Sequence, residues 1–258
     1  MKIVIIGSGN VAAALGRKFI KGEHQILQVI SRNAVTASAL AVELNTQFNT
    51  KINFINKDAD FYLITVSDHA IAEIAGNLYL PGKVVAHTAG AVKIDVLKNV
   101  TDSYGVFYPL QSLRKEIEAA HIPIYTEASN DDAALLLNQL ALSVSNTYAL
   151  YAHYQQRLKL HVAAVIVNNF TNHIFAMAED FCKKEDIDFK ELMPIIQHTV
   201  DRLHNQSPSI TQTGPAARGD YGTLAKHEAL LQQHPQLLQL YKQLSESIIL
   251  SRTEQIAD

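Results

Sequence analysis

Apolar residues in the first half of the chain come in short runs, bounded mostly by glycine, asparagine, aspartate or proline. KIVII (2–6) opens the series, and QILQVIS (25–31), DFYLITVSD (60–68), KVVAHTAG (83–90) and GVFYPL (105–110) continue it. Runs of this length, rich in β-branched residues, predict strands covered on both faces. Ile52–Ile55 reads as a weaker third strand. HIPIYTEA (121–128) reads as an edge strand, since Pro123 lacks the N–H that a central strand donates. Between the runs lie segments of helical composition: VAAALGRKFIKG, AVTASALAVEL and HAIAEIAGNL. Strands alternating with helices predict right-handed crossovers and a parallel sheet.

After about residue 130 the period changes from strand to helix. Helices are expected over 130–145, from about 151 to 185, and over 188–206, 220–233 and 235–255. NQSPSITQTGPAARG and QHP punctuate them. The pattern predicts two domains, 1–148 and 149–258, with the border near Asn146–Tyr151.

The bulk numbers narrow the class. The chain has 258 residues, 48% hydrophobic and 18% charged, with a net charge of −3. That suits a folded protein and offers no basic excess for nucleic acid or a membrane surface. MKIVIIG is too short for an export leader, and Gly7, Ser8, Gly9 and Asn10 interrupt it. No apolar run reaches the roughly 18–20 residues of a membrane span. The single cysteine, Cys182, excludes an intrachain disulfide and fits a reducing cytoplasm. The histidines form no H-E-x-x-H or comparable pattern, so neither zinc nor iron is expected.

The first run ends in the chemistry. Gly7-Ser8-Gly9-Asn10-Val11-Ala12 fits G-x-G-x-x-G/A between a strand and a helix. Gly7 makes the turn, Gly9 admits a pyrophosphate to the backbone, and Ala12 lets the helix pack close. The N–H groups at the helix start, with the helix dipole, then receive the anion. The fold class is therefore α/β: a Rossmann-type doubly wound parallel sheet followed by an all-α C-terminal domain. NAD-binding loops of this type place an acid at the end of the second strand. Here Ser31, Arg32 and Asn33 stand there. Arg32 can grip a 2′-phosphate, with Ser31 and Asn33 donating beside it, so NADP is the expected cofactor. Arg32 as a plain solvated residue is the alternative. Val66, Ser67 and Asp68 after the fourth strand, and His87 and Thr88 after the fifth, are expected to line the ribose and nicotinamide path. Ser67 or Asp68 also suits a helix N-cap. His87 is either a nicotinamide neighbour or a structural histidine.

The long helix carries polar residues on one side. At about 100° per residue, with His161 at zero, Tyr154, Arg157, Val165, Asn168 and Asn172 fall within about 40°, and Asn169 near 80°. Lys159 points about 160° away. Most other positions are apolar, so the helix is expected to be buried, its polar stripe needing partners. Either water and neighbouring helices satisfy it, or His161 with Asn168 or Asn169 faces the nicotinamide. Histidine can carry the proton that accompanies hydride transfer, and asparagine can hold a carbonyl or carboxylate. In Thr213–Asp220, Arg218 either binds a substrate carboxylate or pairs with Asp220, which is placed to cap the next helix.

GSGNVA, HTAGA, VFYPLQSL, HVAAVIVNNF and TGPAARGD together resemble a family of bacterial Rossmann-like proteins classed as NADP oxidoreductases. Their helical C-terminal domain has no assigned function. More distantly the chain is similar to pyrroline-5-carboxylate reductase, ketopantoate reductase and the β-hydroxyacid dehydrogenases. The resemblance implies a helical substrate domain and a homodimer built through helices. The last two enzymes pair a lysine with an asparagine one turn later. Here Ala163 stands four residues after Lys159, so that pair does not carry over. His161, Asn169 and His87 are the candidate catalytic residues, and Tyr108, Gln111, Asn168 and Arg218 the candidate substrate contacts. The expected function is a cytoplasmic NADP(H)-dependent oxidoreductase acting on a small carbonyl, imine or hydroxy acid in the interdomain cleft. A non-catalytic NADP sensor and an epimerase using bound nicotinamide are the alternatives.

Overall fold

The computed structural model describes residues 1–116, 121–145 and 147–257, the last five by their helical backbone alone. Asn146, at one end of the expected border, lies outside the described residues. The chain divides into two compact units, residues 1–169 and 170–258.

The first unit holds one sheet of eight strands in the order β3-β2-β1-β4-β5-β6-β7-β8. They are β1 Lys2–Ile6, β2 Gln25–Ile30, β3 Gln47–Asn49, β4 Phe61–Ile64, β5 Val84–His87, β6 Ser103–Pro109, β7 Ile124–Ala128 and β8 Leu150–Tyr151. The helices are α1 Asn10–Lys21, α2 Ala34–Glu43, α3 Asp68–Gly76, α4 Asp131–Ser145 and α5 Tyr154–Ala164. Pairing is parallel except between β6 and β7. Alternate residues feed two cores. Ile3, Ile5, Phe61, Leu63, Val84 and Ala86 pack with α1, α2 and α4. Val4, Ile6, Tyr62, Ile64 and Val85 pack with α3 and the segment before β6. Both faces are covered, and that is why these strands read as unbroken apolar runs.

Four expectations change. The third strand is Gln47–Asn49, and Ile52–Phe54 is a 3-10 turn. The Gln28 side chain holds that turn off the ladder, donating to the Phe54 carbonyl and accepting from Asn56 N–H. The segment expected at the edge is interior and antiparallel to β6, with β8 beyond it. Pro123 stands just before β7, so its missing N–H costs no ladder bond. The long helix stops at Ala164 and passes into a π-helical segment, Val165–Phe170. The 100° phase therefore fails beyond Val165. The helix is also not buried as expected, since Arg157 is the one buried residue of α5. Helix α5 falls within the first compact unit.

The second unit contains α6 Thr171–Lys184, α7 Met193–Arg202, the single turns α8 Pro208–Thr211 and α9 Pro215–Arg218, then α10 Tyr221–Leu230 and α11 Pro235–Ala257. Cys182, Ala216, Ala217, Leu224 and Leu231 are its buried apolar residues. Asp220 caps α10 by accepting from Thr223 N–H at 3.0 Å, as its place in the sequence suggests. Arg252 donates to the Ala217 carbonyl and ties α11 to α9. Among the described residues no helix is long and apolar enough to cross a membrane.

Candidate functional site

Two clefts open in the first unit at the carboxyl ends of the strands. The first, of about 460 Å³, is walled by Gly7, Ser8 and Gly9 after β1, Ser31, Arg32 and Asn33 after β2, and Val66 and Ser67 after β4. Sequence reasoning placed these residues at a cofactor, and the fold brings them together. Gly7 has φ +126°, and a Cβ there would collide with Thr65. Gly9 is different. It is the N-cap of α1 with ordinary extended φ, and a Cβ on it would meet nothing within 4 Å. That open space lies where a phosphate needs the backbone. No side chain caps α1 and no acid stands in its first turn, so its N–H groups and dipole are left for an anion. The site fits a dinucleotide pyrophosphate.

Three hydroxyls form a chain beneath this cleft. Ser8 donates to Ser31 at 2.8 Å and shares a 2.6 Å bond with Thr36. Arg32 is 76% exposed at its side chain, with Nη1 3.9 Å from Glu73 Oε2. Such a loose exposed contact contributes little and leaves the guanidinium available. Asn33 lines the same cleft, and its Oδ1 caps α2 by accepting from Thr36 N–H at 3.1 Å, which leaves its amide N–H groups to donate. Ser67 sits at the N-cap of α3 but makes no capping bond, and its hydroxyl contacts His69 at 3.3 Å. Asp68 begins α3 and Asn10 begins α1, and neither belongs to the cleft wall. Thr65, Glu73 and Asn77 line the cleft without having been singled out. Thr65 reads as strand interior and Glu73 as an ordinary helix residue, so periodicity gives no signal for them.

The second cleft, of about 570 Å³, is walled by Val11, Thr88, Tyr108, Gln111, His161, Asn168 and Asn169 among others. Apolar walls come from Leu110, Leu160, Val165 and Val167. Tyr108, near the end of β6, shares a 3.0 Å hydrogen bond with Nδ1 of His161 on α5, the rings meeting edge to face at 6.1 Å. Gly90 makes this contact possible, since a Cβ there would sit 3.0 Å from the Tyr108 ring and 3.2 Å from His161 Cβ. Burial, then the charge of Asp68, pushes the Tyr108 hydroxyl above its ordinary pKa, so it stays protonated. Asn168 and Asn169 lie in the π segment. Both belong to the wall of this cleft.

His87 corrects an expectation. It is fully buried, with Nδ1 accepting from Ala89 N–H at 3.2 Å. Burial, then the positive charge of Arg157, lowers its pKa to about 4, so the ring is neutral and lines neither cleft. It supports the turn after β5. Arg218 ends α9 in the second unit and belongs to neither lining. Among the described residues no group of three or more His, Cys, Asp or Glu is placed to hold a metal.

Comparison with known proteins decides the family. Residues 2–90 match the family described as "NADP oxidoreductase coenzyme F420-dependent", and residues 122–248 match a domain of unknown function, DUF2520. The structure of a "putative NADP oxidoreductase" from Bacteroides fragilis is 35% identical, with a TM-score of 0.90 over 96% of this chain and 97% of that one. The chain belongs to this NADP oxidoreductase family. It is an NADP-dependent oxidoreductase by class. More distant solved structures share the fold alone. Pyrroline-5-carboxylate reductase from Streptococcus pyogenes is 13% identical, with a TM-score of 0.66 over 98% of each chain. An imine reductase from Myxococcus stipitatus, solved with NADP+, is 11% identical, with a TM-score of 0.64 over 100% of this chain and 94% of that one. No curated protein matches the chain.

Proposed function

We propose that this NADP oxidoreductase reduces a small carbonyl or imine, or oxidises the matching hydroxy acid or amine, in the second cleft. One observation carries the reading. The two clefts flank the start of α1, with Gly9 in the first and Val11 in the second, and the second holds the Tyr108–His161 pair. A dinucleotide laid across that helix start would put its adenosine end in the first cleft and its nicotinamide in the second, as in other sheets of this order.

The bound cofactor supplies a hydride at nicotinamide C4. The chain's residues do the rest. Arg32 and the hydroxyl of Ser31 take the 2′-phosphate, and the backbone of Gly9 with the start of α1 takes the pyrophosphate. His161 gives a proton to the substrate oxygen or nitrogen. The proton comes from the imidazolium form, whose Nδ1–H donates to the Tyr108 hydroxyl while Nε2–H is given up, leaving the neutral ring. Asn169, and Asn168 beside it, hold the substrate carbonyl in line. The apolar wall excludes competing water. Residues 1–148 bind the cofactor in this reading, and 149–258 serve substrate binding and dimerisation, with Arg218 held in reserve for a substrate carboxylate. Homodimerisation is favoured by exposed apolar residues on α5 and the π segment: Val162 at 54%, Ile166 at 52% and Val167 at 71% exposed. Sedimentation of the purified chain tests it, and a monomer at micromolar concentration would remove it. A cytoplasmic location accords with the single buried thiol.

The deciding experiment is NADPH oxidation against a panel of ketones, keto acids and imines. Coenzyme F420 joins the panel because the matching family description names it. Turnover on one class, lost by about a hundredfold or more in His161→Ala, supports the reading. Tight NADPH binding without turnover on any class would favour a sensor. An active His161→Ala would remove the proton-donor role.

A further inference from the structure

Helix α5 carries His161, yet none of its apolar side chains is fully buried, and Leu158 and Leu160 are half-buried. Its one fully buried side chain is Arg157. Nη1 donates to Glu127 Oε2 at 2.6 Å and to the Ala152 carbonyl at 3.1 Å, and Nη2 donates to the Val92 carbonyl at 2.7 Å. These partners come from three places: β7, the turn before α5, and the loop after β5. The Tyr154 ring lies 6.0 Å from the guanidinium carbon. A buried ion pair adds little net stability over an apolar pair of the same size, because both charges lose water. What it adds is direction. A planar fork with three fixed acceptors admits one rotation of the helix, whereas an apolar stripe tolerates several.

The rotation matters because Arg157 and His161 are four residues apart, on one face in successive turns. The Val92 end of the fork also ties down the loop that contains Gly90. A Cβ on that glycine would crowd the Tyr108 ring and His161 Cβ. Resting on the reading of the second cleft as the reaction site, we propose that Arg157 is a positioning residue: its fork onto Glu127 and Val92 sets the rotation of α5 and so holds His161 against Tyr108. It belongs to neither cleft lining, and its hold on His161 runs through the helix and the loop.

Arg157→Lys tests this, since lysine keeps the charge and loses the fork. The folded variant should bind NADPH within about twofold of the parent, because the first cleft is remote from the change. Its kcat should fall by about tenfold to a hundredfold with KM for the carbonyl substrate far less affected. The NMR signals of the His161 ring should shift away from their hydrogen-bonded values, while those of His227 stay put. A folded Arg157→Lys with parental kcat and parental His161 signals overturns the proposal. If that variant does not fold, Glu127→Ala removes the acceptor at one arm of the fork and is read in the same way, and parental His161 signals there overturn the proposal too. If the parent turns over no substrate, the functional reading fails. The His161 signals still decide the positioning role.

Discussion

At the scale of single residues, the two glycines of the loop do different work. Gly7 needs its freedom for itself: φ is +126° and Thr65 occupies the space of a Cβ. Gly7→Ala should cost the fold about 1–3 kcal/mol, read by urea unfolding. Gly9 has ordinary φ and empty space before it, so Gly9→Ala should fold like the parent and still bind NADPH at least about tenfold more weakly. Parental affinity in Gly9→Ala would dislodge the pyrophosphate from that position. Arg32→Asp should weaken NADPH by about tenfold or more and leave NADH far less affected, as measured by fluorescence titration. Equal losses for both cofactors would end the phosphate assignment. That the glycines, Arg32 and Ser31 would stand around one cleft was legible in the sequence, because the strand, turn and helix around them fix where each is placed. Asn33 was legible as a position, and its bond to Thr36 N–H was not, since that bond depends on where α2 begins.

At the scale of elements, β5 carries a pH dependence. Folded His87 stays neutral, with a pKa near 4 against 6.5 for the free side chain, first because it is buried and then because Arg157 stands near. Below pH 6.5 the unfolded chain takes up a proton that the folded chain refuses. Stability therefore falls as pH drops from 6.5 toward 4 and levels off below that, by about 3 kcal/mol in all from this group. His24, also lowered by burial, adds to the same slope. Urea midpoints at pH 7, 5.5 and 4.5 would show the fall, and His87→Leu should flatten most of it. An unchanged slope in that variant would place the effect elsewhere. The sequence marked His87 as a strand-end histidine and could not say which way it turned. Helix α5 was legible as a helix, with His161 and Arg157 rightly placed on one face. The π segment was not, because VIVNNF has no residue that sets a wider turn. The same six residues continue an α-helix equally well by composition.

At the scale of the whole molecule, the fold followed from alternation. Strands covered on both faces must read as apolar runs, and five such runs gave β1, β2, β4, β5 and β6 directly. Short β3 failed the same test: at three residues, QFN carries one apolar side chain, and the more apolar INFI beside it drew the assignment. The antiparallel turn of β7 was equally hidden, since direction leaves no trace in composition. Cofactor binding is the whole-molecule prediction. NADPH at about a hundred times its Kd should raise unfolding free energy by about 2.7 kcal/mol, seen as a higher melting temperature, and NADH at equal concentration should do less. No shift with either would contradict a preformed site.

The strands of this sheet spend their side chains on two cores, while the clefts are walled mostly by loops past the strand ends and by α5 with the π segment. Inheritance acts on the two sets separately. A change in Val4 or Leu63 is tested by folding before any substrate is met. A change in Gln111, Ser112 or Asn168 is tested by chemistry alone. A lineage with this sheet can therefore drift from one substrate to another through the wall of the second cleft and never pass through an unfolded ancestor.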